Sequence, residues 1–176
     1  MLASLRPAVL VSVIFLIVLG LAYPLAETGI GQALFPGQVN GSLTARGSVR
    51  AGQSWTGPRW FHGRPDADDP MATGGSNLGP RSRLLVQDTR KNVAALGKLG
   101  ITPTPDLVTT SGSGVDPDIA PADAYAQVST VARARGLAPA AVRRLVAADV
   151  QPPEWGFLGA AHVNVLQLNV ALAHLR

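Results

Sequence analysis

The stretch AVLVSVIFLIVLGLAYPLA, Ala8 to Ala26, holds no charged residue and constrains this chain more than any other feature. Its nineteen residues make about 28 Å of helix, close to the thickness of a bilayer's hydrocarbon core. Twelve of them are Leu, Ile, Val or Phe, and at about −0.3 to −0.6 kcal/mol each they favour insertion by about −4 to −7 kcal/mol. Pro7 suits a first helical turn, where its missing N–H has no partner to lose. Tyr23 and Pro24 stand where an interfacial aromatic and a helix stop are expected. A cleaved signal with Gly20-Leu21-Ala22 as its small-residue site is the rival, but the apolar run exceeds the hydrophobic region of such signals. We expect a retained membrane helix.

Arg6 and the terminal amine precede this helix, and the next basic residue is Arg46. The positive-inside rule then puts the N-terminus in the cytoplasm and the rest of the chain outside. The expected organisation is a cytoplasmic N-terminus at 1–6, a transmembrane helix at 7–26, a linker with short strands at 27–59, and the remainder of an extracytoplasmic domain at 60–176.

Of 176 residues, none is cysteine, which excludes disulfides, iron–sulfur clusters and a thiol nucleophile. The external domain must be held by its core, and its length is sufficient for one. With Arg6 set aside, 14 of the 15 basic residues face 11 acidic ones beyond the anchor. That small excess is scattered, and no basic run is interleaved with aromatics, so nucleic acid is not an expected partner.

Helical spacing and punctuation organise the domain. Ser82 to Leu99 places Leu85, Asp88, Thr89, Asn92, Val93, Leu96 and Leu99 near one face, with Gly100 as C-cap. Leu107-Val108 reads as a short strand, and Ser111 to Pro121 as turn. Pro121 opens a second helix with Ala124, Val128, Val131 and Ala132 inward and Gly136 as its stop. A third begins at Ala138-Pro139 and carries Val142, Leu145 and Val146. Asn164 caps a last helix with Val165, Leu168, Leu172 and Leu175 on one side. The fold class is α+β: one N-terminal transmembrane helix, then a single extracytoplasmic domain with a small sheet and three to four helices.

The candidate site is WFHGRPDADDPMATGGSNLGP, Trp60 to Pro80. Trp60 and Phe61 are apolar anchors of the kind that dominate interfaces, and Arg64 offers a forked donor for a carboxylate or carbonyls. Pro65 and the glycines direct the loop. We expect Trp60, Phe61, His62, Arg64, Pro65 and Asn77 to form a contact surface or an internal brace. Asp66, Asp68 and Asp69 resemble the start of a calcium loop. Met71 stands where that loop needs Gly, and Asn77 where it needs a bidentate Glu. They read instead as solvated acids, paired with Arg64 or loosely attracting cations.

No catalytic motif is complete. Thr110-Ser111-Gly112-Ser113-Gly114 lacks the first glycine of a nucleophile elbow. Gly97-Lys98 is followed by Leu99, so no phosphate cradle forms. His62, His162 and His174 have no metal-ligand spacing. No catalytic, metal or cofactor-binding residue is therefore assigned. The competing classes are a membrane-tethered hydrolase using Ser111 or Ser113 with His62 and Asp116, and a free-standing external binding module.

Six pieces, in order, carry a resemblance. They are the anchor, GQALFPGQVNGSL (31–43), GQSWTGPRWFHGRPDA (52–67), GGSNLGP (74–80), DLVTTSGSGVDPDIAP (106–121) and VNVLQLNVAL (163–172). Together they resemble the C subunit of the Kdp-type high-affinity potassium-transporting ATPase, nearly end to end. The resemblance implies an accessory subunit that partners a channel-like potassium-translocating subunit, a P-type ATPase catalytic subunit and a small membrane peptide. It also implies a catalytic chaperone that raises the ATPase subunit's affinity for ATP, with ATP and potassium belonging to the complex. The Asp-Lys-Thr-Gly phosphorylation motif of the P-type subunit does not occur in this sequence. Against the usual family pattern, Asp66 stands where Ser is common, Asp118 where His is common, and Ala160-Ala161-His162 where Glu-Pro-Arg is common.

Overall fold

A computed structural model describes residues 2–66 and 73–175. The chain divides into two units, Met1–Ala45 and Arg46–Arg176.

The first unit is built on one long helix. α1 (Leu2–Ile17) passes through a π-helical turn, Val18–Ala22, into α2 (Tyr23–Leu34). The stop expected at Tyr23-Pro24 is therefore corrected, because helix continues to Leu34. Proline cannot donate to the preceding turn, and its ring crowds the carbonyl four residues back. The π turn resolves that conflict, with the Tyr23 N–H reaching back five residues to the Val18 carbonyl. From Leu5 to Leu34 this helix is 30 residues long; its most apolar 18-residue window has a mean hydropathy of 2.6, and none of that window is buried. Side chains on every side are exposed, including Leu10, Val13, Phe15 and Leu19. A helix apolar all round is at home in lipid or among other helices, not in water. A single turn, α3 (Pro36–Val39), and the two-residue strand β1 (Leu43–Thr44) follow. Here Val39 closes on Gly31, whose added Cβ would lie 3.0 Å from Val39 Cγ2.

The second unit begins with β2 (Gly47–Ser48) and a long irregular segment, and its helices are α4 (Arg83–Leu99), α5 (Pro105–Val108), α6 (Pro121–Arg135), α7 (Pro139–Asp149) and α8 (Val165–His174). Proline opens α5, α6 and α7, where its fixed φ is already helical. Gly100 (φ 73°) and Gly136 (φ 70°) end α4 and α6 in the left-handed region. Beyond each, the next amide bonds five residues back, Ile101 N to Leu96 O at 3.0 Å and Leu137 N to Ala132 O at 2.9 Å, which satisfies otherwise orphaned carbonyls. The strand expected at Leu107-Val108 is instead the helical turn α5, with both side chains buried.

α7 packs against both α6 and α8. Ala124, Val128, Val131 and Ala132 of α6, Val142 and Val146 of α7, and Val165, Leu168 and Leu172 of α8 are all buried. Phe61, Ile101, Leu107, Ile119 and Val163 complete this core. The sheet at its edge is one antiparallel pair, β3 (Asp118–Ile119) with β4 (Val163–Asn164), in register Asp118 to Asn164 and Ile119 to Val163. Asn164 then caps α8, its side chain accepting from Gln167 N at 3.1 Å, while its amide donates to Asp118 Oδ1 at 2.9 Å and Val49 O at 2.8 Å.

Candidate functional site

Residues 59–66 form a strap, outside any helix or strand, that packs on the core through Trp60 and Phe61, and its main chain is held by amide side chains from two helices. Asn169 of α8 accepts from Phe61 N at 2.9 Å and donates to Phe61 O at 2.9 Å. Gln127 of α6 accepts from His62 N at 2.8 Å and donates to His62 O at 3.0 Å. Each amide thus completes both backbone groups of one residue, as a neighbouring strand would. Asn169 and Gln127 are fully buried, so these four bonds replace water that has no access.

Phe61 is fully buried, which is worth about 2–3 kcal/mol in transfer from water. Trp60 is half-buried against the same core, its ring centroid 5.0 Å from that of Trp55, with the Arg135 guanidinium 4.4 Å above it. Arg135 also donates to Arg59 O at 2.8 Å and Leu172 O at 3.2 Å, which ties the strap to the ends of α6 and α8. His62 donates through Nε2 to Gly57 O at 2.9 Å. Desolvation pushes the His62 pKa below its ordinary value of 6.5, against the opposing pull of the Gly57 carbonyl. The ring is therefore a neutral donor at physiological pH.

Arg64 pairs with Asp106 at 3.2 Å and donates to Thr109 Oγ1 at 3.3 Å and Thr110 O at 3.2 Å. Its fork joins the strap to α5 and the chain beyond it. Asp66 is neither a solvated acid nor the partner of Arg64. Its carboxylate accepts from Ser111 N at 2.6 Å, Ser111 Oγ at 2.6 Å and Asp116 N at 2.9 Å. Ser111 in turn accepts from Gly114 N at 2.9 Å. Gly114 (φ 72°) is required here, since a Cβ would lie 2.5 Å from Gly74 O. The SGSG segment is thus a turn closed around a carboxylate.

This arrangement does not assemble the hydrolase triad. Ser111 is bonded to Asp66 and Gly114, His62 to Gly57, and Asp116 Oδ1 accepts from Asp118 N at 3.0 Å. A nucleophile needs its base within hydrogen-bond reach, and none of the bonds of these groups runs between them. Among the described residues, no group of three or more His, Asp or Glu side chains gathers as a metal site.

The family model for the K+-transporting ATPase, c chain (KdpC), matches residues 5–174. This chain belongs to that family. Its relatives include the potassium-transporting ATPase KdpC subunit of Caulobacter vibrioides, 47% identical over 184 residues that cover 98% of this chain and 93% of the relative. The KdpC subunit of Sorangium cellulosum is 48% identical over 186 residues, covering 98% of each chain. That of Rhodopseudomonas palustris is 45% identical over 195 residues, covering 98% of this chain and 97% of its own. The chain is therefore a KdpC-family protein of an ATP-driven potassium transport system, and among the described residues one helix is long and apolar enough to span a membrane.

Within this KdpC-family domain, the strap gathers Trp60, Phe61, His62, Arg64 and Pro65. Asn77 stands apart, exposed and left-handed at φ 52°, a conformation Asn tolerates better than most residues. Asp68 and Asp69 lie outside the described residues. Sequence reasoning missed Gln127 and Asn169. Both fall in step with buried apolar neighbours, Gln127 beside Ala124, Val128 and Val131, and Asn169 beside Val165, Leu168 and Leu172. A polar residue in line with an apolar stripe was the available signal.

Proposed function

We propose that this chain is the non-catalytic accessory subunit of a high-affinity potassium import complex in the cell's inner membrane. It is anchored by one helix with its N-terminus in the cytoplasm and its domain outside. The helix packs among partner helices, and the domain sits on the outward side of the channel-like potassium-translocating subunit. The P-type ATPase subunit and a small membrane peptide complete the assembly. Family membership over residues 5–174 carries this proposal. The geometry agrees with it, because the polar residues that invited catalysis are consumed in bracing the strap.

On this proposal the subunit raises the ATPase's affinity for ATP without touching the nucleotide. Packing more tightly against one conformation of its partners shifts their equilibrium toward that conformation. A tenfold gain in affinity needs only about 1.4 kcal/mol of such preference. The test is purification through a C-terminal tag in mild detergent. Copurification of a channel-like subunit and a P-type ATPase, with potassium-stimulated ATP hydrolysis, is the expected result. A chain that purifies alone would refute the assignment.

A further inference from the structure

Three large apolar side chains of the domain are turned to solvent together. Trp155 is 83% exposed, Phe157 77% and Leu158 51%, all at the tip of a hairpin that runs from Gln151 to His162. The tip is held in one shape. Gln151 and His162 exchange backbone bonds of 2.8 and 3.0 Å at its base, and Glu154 and Leu158 exchange two of 2.9 Å near its end. The Gln151 side chain donates to Gln167 of α8 at 3.2 Å, which fastens the base to the core. Trp155 adopts φ 52° beside Gly156 at φ 82°. A bulky residue in the left-handed region is strained and persists where its surroundings fix it. Pro152 and Pro153 stiffen the approach.

We infer that this tip is a knob that docks into an apolar pocket, edged by Lys or Arg, on a sister subunit of the same membrane complex. The inference rests on the accessory-subunit assignment and names the surface that makes the contact. Charge selects the occupant. From Val150 to Leu175, Glu154 is the only acidic or basic residue apart from two histidines. A hairpin that inserts into an anionic lipid surface carries Lys or Arg beside its aromatics, and this one has neither. A second copy of the tip would set Glu154 against Glu154. A protein pocket with a basic rim satisfies both the apolar tip and its carboxylate. Rigid aromatic anchors lose little conformational freedom on docking, which is why Trp dominates binding energy at interfaces.

The experiment uses the whole complex with p-benzoylphenylalanine in place of Phe157. On illumination, the expected adduct joins this chain to a copurifying membrane subunit, at apolar residues flanked by Lys or Arg. Trp155→Asn, which keeps the left-handed turn, lowers the adduct yield at least tenfold while the unfolding midpoint stays unchanged. Glu154→Lys lowers it more than Glu154→Gln. An adduct to lipid, to a second copy of this chain or to nothing overturns the inference, as does a yield indifferent to Trp155→Asn. These outcomes are read only where the parent chain copurifies with its partners, so loss of the knob and loss of the accessory role give different results.

Discussion

Asn169 and Gln127 are small in number of atoms and large in consequence. Each satisfies an amide and a carbonyl of the strap at once. In Asn169→Ala, Phe61 N and O both lose their partner in a site closed to water. At about 1–3 kcal/mol for each of the two buried groups left unmet, the loss is about 2–6 kcal/mol. Urea unfolding should show a lower midpoint with an unchanged slope, because no additional surface is exposed. The strap's own residues stood out in the sequence because Trp, Phe and Arg are conspicuous in a loop. Their partners did not, because an Asn or Gln on an amphipathic helix ordinarily faces water. Only the tertiary fold shows that a residue a hundred positions away supplies the bond.

Among the elements, α4, α6, α7 and α8 were legible because apolar spacing agreed with proline starts at α6 and α7, glycine ends at α4 and α6, and the Asn164 cap of α8. The β3–β4 pair was not. Two residues are too few for alternation to register, and the pairing joins segments separated by two helices, α6 and α7. Leu107-Val108 misled for the same reason, since two buried apolar residues fit a strand or a helical turn equally well. Asp149, the last residue of α7, is a testable flaw in an otherwise regular element. One of its carboxylate oxygens is buried without a partner, and desolvation raises its pKa above the ordinary 3.8. A negative charge at a helix C-terminus also opposes the helix dipole. A raised folded-state pKa means the native chain holds its proton longer than the unfolded one. Stability from this group is therefore complete below pH 3.8 and falls as pH rises through the raised value. Asp149→Asn should match the parent's unfolding midpoint near pH 3.5 and exceed it at pH 7. Equal midpoints at both pH values would mean the carboxylate carries no penalty.

For the whole molecule, an apolar N-terminal helix followed by an α+β domain could be read from the sequence, but not the length of the helix. Pro24 reads as a terminator by the rules of soluble helices, whereas the π turn at Val18–Ala22 lets the helix pass it. The sequence also offers a direct test of orientation, because a chain without cysteine accepts a single reporter thiol. Ala94 is exposed on α4. In intact cells with a permeable outer envelope, Ala94→Cys should react with a membrane-impermeant maleimide as fully as in lysed cells. Labelling that requires lysis would place the domain inside and reverse the proposed topology.

Thirty residues of continuous helix measure about 45 Å, while acyl chains occupy only about 30 Å. The surplus of about ten residues has to be taken up by leaning or by rising clear of the lipid tails. In either posture, Leu34 sits at the end of a stiff mast and not a slack tether. A twist imposed on the buried turns by a neighbour would reach that point with little loss.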